Sequence, residues 1–493
     1  MAEKGEEEFK KHVDVPDIQL QEILDISSTP EEERKLLWKL DLILIPLMGG
    51  AYFLQFLDKL VLSQATLFNL REDLGLHGSQ YSWTSAIFYF GYLFWSWPSA
   101  YLIVRLPLGK YLAASVFVWG GILMCHAACT NFAGLMVARF FLGAGEAAVA
   151  PGFTLATGMF YKREEQPIRQ SAWFFGNCLA SLFGGLIAYA IGHIHSAITQ
   201  WKLLFIILGA VTSGYAFILF ALLPDTPAKA IFLRSNERAI AVQRTMKDKT
   251  GVMDNGKFKW SQAWEAALDP QTWCLALNSF TSNLCNGGIT TFTSILTAGF
   301  GFSDFQALLM QMPQGGAEIV FLLLTSIAVT FIPSSRIISQ ILNTIISMIG
   351  LILVWKLDED NRAGRMVGLT LGIVYAINLP ISLSMVTSNV AGFSKRSVVS
   401  AAIFIAYCVG NLVGPQFFLD SEEPAYPTGI KACMAGLVIS IFFLILLYVY
   451  YIWENHRRDK LYGKPERATV GEELRDELSN KTDRQIESFR YIL

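Results

Sequence analysis

The 493-residue chain is 53% apolar or aromatic and only 16% charged, where ordinary soluble domains carry roughly 25% charge; that excess does not fit a single water-soluble core. Its 39 basic and 41 acidic residues give a formal charge of −2, which leaves no basic surplus to neutralise a phosphate backbone and excludes nucleic acid as the expected partner. The seven cysteines lie in apolar stretches without CxxC or Cys/His spacing, so they read as buried, reduced packing residues and no metal site is expected.

Residues 1–37 are acidic and polar, with no basic start, apolar stretch or small-residue cleavage site, so no signal peptide is expected. Apolar windows of about 20 residues follow, each long enough to cross a hydrocarbon core of roughly 30 Å. They place spans near 39–62, 80–104, 108–129, 132–159, 168–192 and 202–223, and a second set near 272–298, 305–331, 335–356, 365–388, 397–418 and 429–453. Between the sets, 224–271 opens with Pro224-Asp225-Thr226-Pro227 and carries Arg234, Glu237, Arg238, Arg244, Lys247, Asp248 and Lys249; it reads as a solvated linker. The expected fold class is an all-α membrane protein of twelve transmembrane helices in two pseudo-symmetric six-helix halves. Its parts are a tail (1–38), a first half (39–223), the linker (224–271), a second half (272–453) and a second tail (454–493).

The halves echo each other. Leu74-Gly75-Leu76-x-x-x-Gln80 returns as Phe300-Gly301-Phe302-x-x-x-Gln306, and Phe160-x-Lys162-Arg163 returns as Phe393-x-Lys395-Arg396 at a similar offset, which favours duplication. Small residues recur every fourth position in the fifth span (Ala172, Gly176, Ala180, Gly184, Ala188, Gly192) and the eleventh (Ala402, Ala406, Gly410, Gly414), a pattern that lets membrane helices approach closely. Arg105, Lys110, Lys162, Arg163, Arg169, Arg336, Lys395 and Arg396 fall in loops 2-3, 4-5, 8-9 and 10-11. Positive residues are retained on the cytoplasmic side, so both termini and the linker are expected there.

An ionisable side chain at mid-bilayer costs at least about 2.5–3.5 kcal/mol on insertion scales, so one that persists faces a cavity or a partner. Asp58 and Lys59 in the first span and Arg139 and Glu146 in the fourth stand out. Seven residues of helix leave Arg139 and Glu146 about 20° apart in direction and about 10.5 Å apart along the axis, on one face. An ion pair between Asp58 and Arg139 is geometrically reasonable. A substrate carboxylate competing with Glu146 or Asp58 for the same cation would link anion binding to proton uptake, because an acid that loses its cation is more readily protonated. The alternative is a structural salt bridge between the first and fourth spans. Glu318 in the eighth span lacks a visible partner, and Gln314-Gly315-Gly316 suggests an irregular or water-lined stretch there; it stays outside the core site. Tyr92, Asn177, Asn283, Asn286, Asn378, Ser382 and Asn411 are polar residues that either line a cavity or hydrogen-bond between helices. His193-x-His195 reads as a loop-surface pair, and the Asn480-Lys481-Thr482 sequon falls in a tail expected to be cytoplasmic, where glycosylation does not reach.

With twelve spans and a central linker the sequence resembles the major facilitator superfamily, and within it the fungal allantoate permease group of the anion:cation symporters. The resemblance covers about 50–455 and rests on Leu57-Asp58-Lys59, Gly78-Ser79-Gln80-Tyr81-Ser82-Trp83, Arg105-Leu106-Pro107-Leu108-Gly109-Lys110, Arg139-Phe140-Phe141-Leu142-Gly143 leading to Glu146, Leu223-Pro224-Asp225-Thr226-Pro227, Asn286-Gly287-Gly288-Ile289 and Gly410-Asn411-Leu412-Val413-Gly414-Pro415-Gln416. Arg139 and Glu146 match the family's Arg-to-Glu pair; Asp58-Lys59 is similar to its acid-base pair, with Lys where Arg is frequent. Loop 2-3 lacks the superfamily's usual Asp, as the fungal group does. The resemblance implies a plasma-membrane, multi-pass symporter that imports a small organic anion, such as allantoate, nicotinate or pantothenate, with protons by alternating access. Asp58 and Glu146 are then the expected proton-coupling residues, and Lys59, Tyr92, Arg139, Asn177 and Asn411 the expected substrate contacts. No cofactor and no enzymatic activity are expected, the partners being the anion, protons and the bilayer, with the monomer as the working unit. The other readings are an exporter of a secondary metabolite and a membrane sensor that binds a nutrient without moving it.

Overall fold

A computed structural model describes residues 29–162, 165–247, 258–463 and 481–493. The first helix, α1 (Pro30–Ala65), starts nine residues before the expected span. The cause is a capping box: the Glu32 carboxylate accepts from the Thr29 backbone N–H at 3.0 Å, and Thr29 Oγ1 accepts from the Glu32 N–H at 3.3 Å. Pro30 stands at the first helical position, where its missing N–H costs nothing, and Glu31 to Glu33 complement the helix dipole.

The first-half helices follow as α2 (Gln80–Arg105), α3 (Leu108–Cys125), α4 (Phe132–Glu146) continued by α5 (Val149–Phe160), α6 (Gln166–Gly192) and α7 (Gln200–Leu222). The expected linker contains two helices, α8 (Ser235–Lys247) and α9 (Trp260–Ala267). The second half runs α10 (Pro270–Gly299), α11 (Asp304–Leu309) continued by α12 (Met312–Phe331), α13 (Arg336–Lys356), α14 (Arg362–Gly372) continued by α15 (Asn378–Asn389), α16 (Phe393–Val413) and α17 (Pro427–Tyr462). Arg163 and Glu164, Asp248 and Lys249 of the linker, the acidic segment before residue 29, and Asn480 of the sequon lie outside the described residues.

Three spans are interrupted, each just ahead of a proline. Pro151, Pro313 and Pro380 have no N–H to return to the carbonyl four residues earlier, and the breaks fall at Ala147–Ala148, Met310–Gln311 and Ile373–Ile377. The irregular stretch expected at Gln314-Gly315-Gly316 therefore lies a turn earlier, and those three residues are helical. Pro46 and Pro98 leave α1 and α2 continuous. The last helix reaches Tyr462 and stops at Gly463, whose φ of 80° suits glycine.

Eleven of the described helical spans are long and apolar enough to cross a membrane. α10 has the length, but its Ser, Thr and Asn content sets it apart, and most of its residues are buried. Many of its hydroxyls bond back to their own helix, as Thr291 Oγ1 does to the Gly287 carbonyl at 2.6 Å and Thr297 Oγ1 to Thr293 at 2.7 Å. All seven cysteines are free thiols, six of them buried; Cys125 is exposed.

The helices form two compact units. One comprises the described residues of Met1–Asp58, Gly91–Ala180 and Lys202–Asp254; the other those of Lys59–Phe90, Ser181–Trp201 and Asn255–Leu493. In the first unit Lys162 pairs with Glu33 at 2.9 Å, Arg244 of α8 reaches Glu33 and Glu165, and Arg169 pairs with Asp41 at 2.8 Å. Lys39 holds Glu237 at 2.7 Å; burial opposes the Glu237 charge, but the bonds from Lys39 and from the Arg234 backbone keep its carboxyl below the usual range.

In the second unit Lys395, at the position equivalent to Lys162 in the sequence echo, is fully buried and pairs with Glu265 at 3.0 Å, Asp269 at 2.6 Å and Asp483 at 2.8 Å. Asp483 belongs to the segment 481–493, which lies along α17: Tyr491 stacks on Tyr451 at 4.8 Å and donates to Asp483 at 2.7 Å. Asn455 exchanges two hydrogen bonds with the Tyr491 backbone, and Asn389 two with Ile492. Both echoed lysines thus make ion pairs with an acid just ahead of the first or seventh span, Lys162 with Glu33 and Lys395 with Glu265 and Asp269. Replacing Lys395 with Met removes the ammonium that lies against two buried carboxylates, Asp269 and Asp483, and leaves Arg484 3.5 Å from Asp269. That change is expected to cost about 3 kcal/mol or more, read as a lower melting temperature of the detergent-solubilised protein.

Candidate functional site

The buried charges of the first unit meet where α1, α3, α4 and α7 pack together. Glycines set those distances. A Cβ on Gly120 of α3 would strike Ser213 and the Gly209 carbonyl of α7, and one on Gly145 of α4 would press on Trp119. With no side chains there, α3 lies against both neighbours and Trp119 is wholly buried. Its indole N–H donates to Asp58 Oδ2 at 2.6 Å, and Thr212 Oγ1 of α7 lies 3.5 Å from the same oxygen. Asp58 is fully buried, and its Oδ1 has no hydrogen-bond partner among the described residues. The contact expected from Arg139 is therefore supplied by an indole and a hydroxyl; Arg139 and Glu146 act on Asp58 through space.

Arg139 and Glu146 are 3% and 0% exposed, so the seven-residue spacing puts both on the protein-facing side of α4. Glu146 is the last residue of that helix before the break that Pro151 imposes. Tyr92 is buried beside Gly91, where a Cβ would collide with the Phe140 carbonyl, so α2 crosses α4 one residue past Arg139. Asn177 follows Gly176, which rests on the Gly49 carbonyl of α1; its Oδ1 is buried with no partner among the described residues. Gly176 is one of the small residues expected to let the fifth span approach a neighbour.

His126 belongs to this cluster, and sequence reasoning missed it. It is fully buried, stacks on Phe205 at 5.0 Å, binds the Ile122 carbonyl through Nδ1 at 2.9 Å and lies within electrostatic reach of Arg139. Trp119 and Thr212 were missed as well. None stands at a motif spacing from Asp58, and a Trp or Thr in an apolar helix carries no distinguishing signal by itself.

Lys59 and Asn411 belong to the second unit. Successive helix residues point about 100° apart, so Lys59 turns away from the Asp58 partners: its ammonium lies 5.5 Å from the Phe88 ring centre and within reach of the Cys408 thiol. Asn411 is fully buried with its amide engaged, accepting from Asn286 at 2.7 Å and donating to Asn283 at 3.1 Å and to the Tyr407 carbonyl at 2.9 Å. Gly287, Gly410 and Gly414 bring α10 and α16 into backbone contact around it. Asn378 bonds to Asn343 and Thr344, and Ser382 to Gln340, all between helices. His193 is exposed and binds its own helix through the Tyr189 carbonyl. No group of three or more His, Cys, Asp or Glu among the described residues could hold a metal ion.

The model of the Major Facilitator Superfamily matches residues 48–415. The allantoate permease of Saccharomyces cerevisiae is 36% identical over 96% of this chain and 89% of its own length. An uncharacterized transporter of Schizosaccharomyces pombe is 35% identical over 95% of this chain and 89% of its own. Among solved structures, the xylose transporter XylE of E. coli in a partially occluded inward-open conformation superposes with a TM-score of 0.61 at 13% identity, covering 83% of this chain and 98% of that one; the likeness is one of fold.

Trp119→Phe keeps the aromatic packing and removes the one N–H donated to Asp58. Leaving a buried polar oxygen without its donor costs about 1–3 kcal/mol, so this variant is expected to melt measurably lower than wild type, while the same change at the exposed Trp38 does not shift the transition.

Proposed function

Because the chain belongs to the Major Facilitator Superfamily, we propose that it is a proton-coupled symporter importing a small organic carboxylate across the plasma membrane, with both termini and the 224–271 linker cytoplasmic. The halves 39–223 and 272–453 are the bodies that alternate access, and the monomer is the working unit. The reading is supported by the kinship to an allantoate permease and carried by one observation: two buried acids, Asp58 and Glu146, lie within electrostatic reach of each other, and the buried cation Arg139 acts on Asp58 and lies on the same helix face as Glu146.

That arrangement couples by competition. An incoming carboxylate takes the Arg139 guanidinium, whose planar donors suit it. The acid left without its cation is then favoured to bind a proton, and release of both resets the pair. Asp58, held by Trp119 and Thr212 and influenced by both Arg139 and Glu146, is the second acid in the exchange. Lys59, Tyr92, Asn177 and Asn411 shape the substrate path, Asn411 by fixing α16 against α10.

In proteoliposomes holding the full chain, an inward proton gradient is expected to drive accumulation of radiolabelled allantoate. Glu146→Gln should abolish that accumulation while allantoate exchange stays detectable. Gradient-driven accumulation at wild-type level in this variant refutes the coupling role.

A further inference from the structure

The buried positions of α12 are Gln314, Gly315, Glu318, Leu322 and Thr325, spaced as one helix face. A carboxyl group on that face calls for a cause. Glu318 is 5% exposed, and no charged side chain of the described residues acts on it. A lone carboxylate inside a membrane protein is costly, and a purely structural position would be filled at lower cost by Gln, as the preceding turn is at Gln314.

The side chain that packing brings beside Glu318 is the hydroxyl of Ser181. Gly315 lacks a side chain where the Ser181–Leu182 backbone of α6 occupies the space a Cβ would need, and Gly185 does the same against the Leu308 carbonyl. This close seam sets Ser181 beside the Glu318 carboxyl. Tyr375, in the 3-10 turn Val374–Ile377 ahead of Pro380, sits against the Cys285 thiol with its phenol also in electrostatic reach of Glu318. Ser181 and Tyr375 are 7% and 4% exposed, and neither hydroxyl oxygen has a hydrogen-bond partner among the described residues. The remaining titratable neighbours are the thiols of Cys285 on α10 and Cys433 on α17, which act through Tyr375.

A buried acid without a cation, next to a buried hydroxyl that nothing else engages, forms a site that can serve both protonation states. As a carboxylate it can accept from Ser181; as a carboxylic acid it does not need that donor. We propose that Glu318, flanked by Ser181 and Tyr375, is a second proton-binding site, taking a proton from water onto a carboxylate oxygen and returning it to water. The proposal rests on the proton-coupled reading above and gives the second unit a titrating acid of its own.

The test is infrared pH-difference spectroscopy of the full-length protein in liposomes, titrated from about pH 5 to about pH 9, which follows the carbonyl band of neutral carboxyl groups. Glu318→Gln is expected to remove one component of that band that Asp58→Asn and Glu146→Gln retain. Ser181→Ala should displace the midpoint of that component by about 0.5 pH unit or more, because it removes a donor to the charged form, and Tyr375→Phe should displace it by changing the polarity within electrostatic reach of the acid. A Glu318→Gln spectrum superimposable on wild type overturns the proposal. If Glu318→Gln yields no folded protein, midpoints unmoved in both hydroxyl variants overturn it instead. The readout needs no substrate, so failure of allantoate, nicotinate and pantothenate to move in wild type refutes the transport reading and leaves this result standing.

Discussion

An ionisable group removed from water is tolerated only where the protein supplies what water would, and that constraint organises the buried polar chemistry of this chain. Asp58 is met by an indole N–H and a threonine hydroxyl. Lys395 is met by three carboxylates, and Arg139 and Glu146 share the buried face of one helix. In each case the partner comes from another helix or another turn, so the charge is stable only while particular helices stay in contact. Such contacts are also what a conformational cycle has to remake, which is why the same groups are candidates for both stability and coupling.

Close helix approach makes those partnerships possible, and glycine supplies it. Gly120 and Gly145 bring α3 onto α7 and α4, and so carry Trp119 to Asp58. Gly315 and Gly185 draw α12 onto α6 and deliver Ser181 to Glu318. Gly287, Gly410 and Gly414 do the same for the Asn283–Asn411–Asn286 ladder. Proline supplies the complementary device, breaking a helix just beyond Glu146 and beside Tyr375 so that local backbone no longer follows the regular spiral.

Much of this was legible in the sequence wherever the signal was periodic or local. Apolar windows located the spans, and a seven-residue interval put Arg139 and Glu146 on one face. The Lys162 and Lys395 echo marked two positions that both make ion pairs, the first with Glu33 and the second with three acids. Hydropathy windows overlooked the start of α1, because the Thr29–Glu32 capping box lies in a polar stretch. They also missed the ordering of 481–493, whose docking depends on Asp483 and Tyr491 finding partners far away in the chain. Trp119, Thr212 and His126 were illegible for the same reason: their importance comes from tertiary placement beside a charge, and no interval in the sequence encodes it.

The central claim is that movement of an organic anion is obligatorily tied to movement of protons through the buried acids Asp58 and Glu146 and the buried cation Arg139. The most direct measurement places the wild-type protein in liposomes loaded with a pH-reporting dye, adds allantoate outside with no imposed gradient, and follows dye and radiolabel together. The account predicts internal acidification that rises in step with allantoate entry. Entry of allantoate with the internal pH unchanged would contradict it.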